Sequence, residues 1–452
     1  MKVHFISIGG SVMHQLAIAL HRKGYQVTGT DDEIFEPSRT NLLSEGILPE
    51  AMGWQPDLIT KDLDAVILGM HARNDNPELI KAIELGLQIF SFPEYIYHES
   101  QQKKRIVVGG SHGKTTTTSM IMHVLSKLQY DFDYLVGAKL TGFEQSVKIT
   151  NAPIIVCEGD EYPASAIEKK PKFHFLFPHI AILTGIAWDH INVFPTFDFY
   201  LEQFRIFIAK IEVGGLLIYN SSDKVLDQLV NDCRRNDIRY QSYEVPTHAI
   251  HQGKTSVTID GYSSDLKVFG NHNLMNLFAA FYACKEMGVT AKDFVSSIAD
   301  FTGASKRLEL MASGDSINVY RDFAHAPSKV KATIDALKQQ YPDRKLIGIL
   351  ELHTFSSLNE KFMNEYDGAL SKADIAIVFY SKHALEIKRL PDLPADTIRL
   401  GFNQPGLLVM NDKKQLGDWL TKNDFTNSNV VLMSSGNYDG IDMLTFAERI
   451  TH

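Results

Sequence analysis

Cysteine is scarce in this chain, with three among 452 residues. Cys157, Cys233 and Cys284 form no C-x-x-C pair. An odd count cannot close a full set of disulfides, which excludes a disulfide-stapled secreted scaffold. Long apolar runs are also missing: no stretch of 18 apolar residues occurs, so no transmembrane helix is expected. Nor is positive charge in excess. A formal net charge of −9 and a pI near 6.0 argue against a nucleic-acid partner, whose phosphates demand lysine and arginine. Lys2 and the apolar residues after it look superficially like a signal peptide, but His4, Gly9, Gly10 and His14 interrupt any apolar core. No internal repeat or low-complexity stretch stands out. A cytoplasmic protein without membrane contact is expected, a monomer or weak homo-oligomer working on small molecules. Hydrophobic content of 44% and charged content of 22% are those of a globular chain, and the length suits about three domains.

The chain is organised around Arg105–Met120, RIVVGGSHGKTTTTSM. Ile106, Val107 and Val108 read as a short buried strand, followed by a glycine loop, Lys114 and four threonines. Met120, Ile121, Val124 and Leu125 then recur at helical spacing. Strand, glycine loop, Lys-Thr and helix make a phosphate cradle. Backbone N–H groups turn toward anionic oxygens, the helix N-terminus adds partial positive charge, and Lys114 adds a full one. Thr115 would place a hydroxyl on a phosphate-bound Mg²⁺. Val108 stands where the general P-loop pattern needs its first glycine, so the loop is the shorter Gly110-Ser111-His112-Gly113-Lys114-Thr115 form.

Before this stretch, residues 2–8 read as a strand, Gly9-Gly10-Ser11 as a tight turn, and Met13 to Arg22 as a helix. A second strand from Gln26 ends at Thr30-Asp31, which places an acid where a dinucleotide fold contacts ribose. Ser7 and Val12 replace two of the three fingerprint glycines. The crevice is therefore read as holding a phosphate-bearing ligand rather than nicotinamide, a plain turn being the alternative. The strand Asp64–Leu68 discharges into His71-Ala72-Arg73-Asn74, at the ligand-facing rim of an open α/β sheet.

After the cradle, the strand Ile154–Cys157 delivers Glu158-Gly159-Asp160-Glu161-Tyr162, and the strand Ile180–Gly185 leads to Trp188-Asp189-His190. Three strands that each end in a polar cluster imply one shared edge. Mg²⁺ takes oxygen ligands and keeps several waters, so one or two carboxylates beside phosphate would suffice. A solvated turn is the alternative for Asp160 and Glu161, and a core histidine for His190. Further on, Asn273 and Asn276 sit three apart on one helix face, where their amides could bracket a purine edge or cap the helix. Lys306-Arg307 adds a basic pair. The last third alternates strands and helical patterns as another parallel α/β unit. Its first strand ends at Asp322-Phe323-Ala324-His325-Ala326-Pro327, where Pro327 suits a helix start; a cap and a surface histidine would also account for Asp322 and His325.

The ordered motifs GGSHGKTTTT, EGDEY, DH, GNHNLMN and RDFAHAP resemble those of the Mur ligase superfamily over essentially the whole chain. The resemblance implies an α/β fold in three domains: a Rossmann-like N-terminal domain (1–103) for the UDP-sugar, a central P-loop domain (104–310) for ATP, and a C-terminal Rossmann-like domain (311–452) for the peptide. It implies an ATP- and Mg²⁺-dependent amide-bond-forming ligase of peptidoglycan assembly. The chain is most similar to the two branches acting on UDP-N-acetylmuramate. One adds L-alanine. The other, the recycling murein peptide ligases, adds the preformed tripeptide L-alanyl-γ-D-glutamyl-meso-diaminopimelate. Tyr162, the basic segment Lys169–His174, Glu351-Leu352-His353 and Met433–Gly436 resemble the recycling branch, which is the expectation; Gly159, Pro163 and Ser111 depart from its pattern.

By the same resemblance, Gly110, Ser111, His112, Gly113, Lys114, Thr115 and Thr116 would cradle the ATP phosphates. Thr115 and Glu158 would ligate Mg²⁺, and His190 a second one. Arg307 would contact phosphate, His272, Asn273 and Asn276 adenine, and Asp322 and His325 would complete the ATP site. Gly9, Gly10, Ser11, Asp31, His71, Arg73 and Asn74 would hold the UDP-sugar. Arg205 stands in the region where many members carry a carbamylated lysine, so none is expected here.

Overall fold

The computed structural model describes residues 1–70, 72–138, 140, 142–188, 193–303 and 307–451. The chain forms two compact units. The first comprises Met1–Ile186, Asp198–Glu244 and Ala279–Val289; the second comprises Ala187–Phe197, Val245–Phe278 and Thr290–His452. No helix among the described residues is long and apolar enough to cross a membrane.

The first unit holds two sheets. Strands β1 (Lys2–Ile6), β2 (Gln26–Thr30), β3 (Ala65–Leu68) and β4 (Ile89–Ser91) are all parallel, in the order β2-β1-β3-β4. β1 stops at Ile6, two residues short of its apolar pattern, because Ser7 adopts a left-handed φ of +67° that ends extended pairing. The helix Phe92–Ser100, entered through a Ser91/Glu94 capping box, leads out of β4 toward the second sheet.

That second sheet contains β5 (Lys104–Gly109), β6 (Phe132–Leu135), β7 (Val147–Lys148), β8 (Ile154–Glu158), β9 (Ile180–Leu183), β10 (Leu216–Asn220) and β11 (Arg239–Tyr243). Their order is β11-β10-β9-β5-β8-β6-β7, parallel throughout except for the short β7 edge. The middle strand β5 is flanked by β9 and β8, the two other strands expected to deliver polar clusters. Ile106, Val107 and Val108 are fully buried, as a strand covered on both faces requires.

The second unit carries an antiparallel meander, β12 (His248–His251), β13 (Lys254–Ile259) and β14 (Tyr262–Leu266). It also carries a six-stranded sheet of β15 (Glu309–Ser313), β16 (Ile317–Asp322), β17 (Lys345–Leu352), β18 (Ile375–Tyr380), β19 (Leu408–Met410) and β20 (Ser428–Met433). The order is β15-β16-β20-β17-β18-β19, with only β15 antiparallel. Alternation along β17 divides two cores: Leu346 and Leu350 pack into one, Ile347 and Ile349 into the other. Each such side chain contributes about 2 kcal/mol on leaving water, so neither face is dispensable.

Candidate active site

The carboxyl ends of β9, β5 and β8 lie side by side, and the turns leaving them pack together. The loop after β5 needs glycine at two points. Gly110 has φ +126°, and a Cβ there would collide with the Thr184 hydroxyl and come within 3.0 Å of the Thr184 backbone nitrogen. Gly113, at φ +77°, turns the chain into the helix Lys114–Lys127, whose first turn carries no side-chain cap. Its leading N–H groups are thus left for a ligand. The loop is fastened from the β9 side. Thr184 N donates to Gly109 O at 3.1 Å, Ser111 N to Gly185 O at 2.9 Å, and the Thr184 hydroxyl to the His112 carbonyl. Asp223 braces that support, accepting Ile186 N at 2.7 Å. The Ser111 hydroxyl meets the Tyr200 hydroxyl at 2.7 Å, out of water.

Lys114 points back over its own loop. Its ammonium donates to Gly110 O at 2.7 Å and to Glu161 Oε2 at 2.6 Å, with the two side chains 13% and 2% exposed. Burial disfavours that charge, but the carboxylates of Glu161, Asp160 and Glu158 outweigh it and raise the lysine's pKa. Asp160 in turn holds Lys172 at 2.7 Å; burial works against its charge, and Lys172 and Lys114 hold its pKa below the ordinary value. Thr115 donates to Glu158 Oε1 at 2.8 Å, and Gly137 N to Glu158 Oε2 at 2.7 Å. Glu161 is therefore neither a solvated turn residue nor idle: an anionic oxygen already sits on Lys114 where a phosphate oxygen would. The Thr115 hydroxyl and Glu158 carboxylate, in direct contact, are the pair a hard cation would bridge. Thr116 is buried in the helix behind them. The loop, lysine and threonine thus fit a nucleotide phosphate chain with its cation.

The basic segment after Glu161 is largely neutralised. Besides Lys172, Lys170 pairs with Glu168 at 3.2 Å, and burial pulls His174 down to about 4. Arg205 lies on the helix Phe197–Ala209 and pairs with Glu202 at 3.6 Å. Asp189 and His190 lie outside the described residues, as does His71.

In the N-terminal sheet, Gly9-Gly10-Ser11 forms the turn after β1. Asp31 is buried and braces it, its Oδ2 accepting Gly9 N at 2.7 Å. Asp31 thereby shapes the turn. Ser7, at the first fingerprint position, is a residue that motif reading missed. It is 2% exposed, left-handed, and its Oγ is buried without a hydrogen-bond partner among the described residues. Arg73 and Asn74 are exposed in the loop after β3, whose Asn76 caps the next helix.

The second unit gathers another part of the predicted set. Asp322 closes β16, its Oδ2 accepting the Thr333 hydroxyl at 2.5 Å. His325 is buried and donates Nδ1–H to Phe323 O at 2.8 Å. The Arg307 guanidinium lies 4.9 Å over the Phe323 ring. Burial lowers the pKa of His272, partly offset by Asp322. Asn276 is buried, and Asn273 spends an amide N–H on Phe269 O at 2.9 Å, so its role is at least partly to fix the helix entry. Lys306 lies outside the described residues.

Fold and cradle together define a P-loop nucleotide-binding α/β enzyme. Its family follows from comparison with known proteins. The chain matches the Mur ligase family catalytic domain over residues 2–104, the Mur ligase middle domain over 108–284, and the Mur ligase glutamate ligase domain over 306–436. A UDP-N-acetylmuramate–L-alanine ligase of Caldicellulosiruptor bescii is 32% identical over 391 residues, 83% of either chain. Among solved structures, a murein peptide ligase of Psychrobacter arcticus superimposes with TM-score 0.64 at 22% identity, covering 100% of both chains. The UDP-N-acetylmuramate–alanine ligase of Thermotoga maritima gives 0.67 at 20%, covering 100% of this chain and 98% of that one. The chain belongs to the Mur ligase family and is an ATP-dependent amide-bond-forming ligase.

Proposed function

We propose that this enzyme joins an L-alanyl amine to the lactyl carboxylate of UDP-N-acetylmuramate. The carrying observation is the Lys114–Thr115–Glu158 cradle in a chain whose curated relatives are named UDP-N-acetylmuramate–L-alanine ligases. In the first step the lactyl carboxylate attacks the γ-phosphorus of ATP, ADP leaves, and an acyl phosphate forms. The amine then adds to the acyl carbon, phosphate is expelled, and the amine's proton is lost. Two anions must meet in the first step, so fixed positive charge is the main demand. Lys114 supplies it by exchanging Glu161 for the β/γ-phosphates. Thr115 and Glu158 would hold Mg²⁺, which supplies further positive charge between the phosphates, and His190 a second ion by family analogy.

The work is divided as 1–103 for the sugar nucleotide, 104–310 for ATP and 311–452 for the acceptor. Gly9, Gly10, Ser11 and the unpartnered Ser7 hydroxyl take the diphosphate, with His71, Arg73 and Asn74 beside the sugar. His272, Asn273 and Asn276 face adenine, while Arg307, Asp322 and His325 complete the ATP site.

Relatives favour free L-alanine as acceptor, ahead of the tripeptide expected from motif reading. The tripeptide is the second reading. Tyr162 and Glu351-Leu352-His353 favour it, and so does the full-length match to a murein peptide ligase. Phosphate release from ATP and Mg²⁺, with UDP-N-acetylmuramate plus either acceptor, tests both. Turnover with L-alanine alone supports the first reading, and with tripeptide alone the second. Hydrolysis indifferent to the sugar nucleotide refutes both.

A further inference from the structure

A cavity of about 590 Å³ lies between the helix Phe92–Ser100, the segment after Pro171, and the far end of the helix Phe197–Ala209. Its size falls within the range of small-molecule sites. It is not part of the cradle. Phe177, in its wall, accepts Arg105 Nε at 2.8 Å through its carbonyl, and Arg105 is the second residue of β5. The cavity therefore adjoins the amino ends of the central strands, whereas the cradle leaves their carboxyl ends.

Three features define what it would take. Two packed aromatic pairs line it: Tyr97 on Phe177, with ring centroids 4.8 Å apart, and Phe90 on His98, at 5.4 Å. Flat apolar walls favour a planar ring system. Its charge is cationic. The Lys210 ammonium rests 4.6 Å over the Phe177 ring and has no carboxylate within salt-bridge distance among the described residues. The one acid of the lining, Glu94, is occupied by the Ser91 amide and hydroxyl at 2.7 and 2.6 Å. Finally, His174 offers an acceptor. Its Nε2 bonds the Gln203 carbonyl at 2.8 Å, so that nitrogen carries the proton and Nδ1 keeps its lone pair.

We propose that this cavity is a second ligand site, for a small planar aromatic anion, with the packed Tyr97–Phe177 pair forming one wall against the rings and Lys210 meeting the charge. The substrates of the proposed reaction with that character are the nucleotides, and these are assigned elsewhere, ATP to the cradle and UDP-N-acetylmuramate to the Gly9–Ser11 turn.

The test uses the full-length protein with MgADP saturating the cradle. The probe is 8-anilinonaphthalene-1-sulfonate, and N-phenyl-1-naphthylamine serves as its uncharged counterpart. Saturable one-site fluorescence that survives MgADP is expected, with the uncharged dye weaker by about tenfold. Lys210→Met should weaken the sulfonate probe similarly and leave the uncharged dye alone. Ile206→Trp, which fills the cavity, should abolish both, with far-UV circular dichroism checking its fold. The proposal is overturned by displacement of the probe with MgADP, by equal binding of the two dyes, by indifference to Lys210→Met, or by no binding at millimolar probe.

Discussion

Glu161→Gln is the most informative single change at the cradle. The wild-type contact is a 2.6 Å charge-assisted bond between two buried side chains. Removing one partner of a buried pair costs about 3–5 kcal/mol when the other is left alone. Lys114 is not left alone, since Gly110 O stays at 2.7 Å and Asp160 and Glu158 still act on it. A loss of about 1.5–3 kcal/mol in the nucleotide-free protein is therefore expected, the worth of one hydrogen bond to a charged group. Under the proposed exchange of Glu161 for phosphate on Lys114, the nucleotide-bound state has already given up this contact and loses nothing by the substitution. The same free energy must then reappear as affinity, about 10- to 150-fold tighter MgADP binding by titration calorimetry. A lower melting temperature without ligand and a lower Kd with it are the paired signature. An unchanged or weaker Kd would refute the reasoning, and would mean that Glu161 serves the bound state.

Further outcomes follow from particular contacts. Gly110→Ala places a Cβ against Thr184 at a left-handed φ; it should cost at least about 2 kcal/mol in thermal denaturation and abolish ATP-dependent turnover. Tyr200→Phe removes the 2.7 Å bond to Ser111; a loss of about 1 kcal/mol and a raised KM for ATP with kcat little changed are expected from steady-state assays. Two buried groups make the first unit acid-sensitive. His174, at about 4, resists a proton that the unfolded chain accepts near 6.5, so stability falls as pH drops from 6.5 to 4, by about 3 kcal/mol. Burial opposes the Glu78 carboxylate, yet His4, the Thr30 hydroxyl and the Gln55 amide hold its pKa below the ordinary 4.5. Its contribution is present above that value and lost as pH falls through the depressed one. Denaturation of His174→Phe and Glu78→Gln across pH 3–7 should show each loss flattened in its own window.

The shared edge of β9, β5 and β8 was legible because each carries an apolar run that leads into a polar cluster. A parallel sheet covered on both faces leaves only its carboxyl edge for polar chemistry. What lay hidden was the use of each polar side chain. Asp31 and Ser7 sit in one turn, yet the acid is consumed by Gly9 N while the hydroxyl stays unpartnered; spacing is blind to that difference. Glu161 looked like a loop carboxylate because its partner, Lys114, lies 47 residues away. Asn273 spends one amide N–H on a carbonyl four residues earlier, a contact that its spacing from Asn276 does not reveal.

The fastening of the glycine loop from the β9 side carries a consequence for how the protein is made. The six-residue cradle is held by Thr184 and Gly185, more than 70 residues downstream. Contacts of such long range form only after the intervening chain is available and its closure entropy is met. During synthesis, Lys114 and Thr115 emerge well before the backbone that shapes their loop. The nascent chain is blind to nucleotide until β9 is in place.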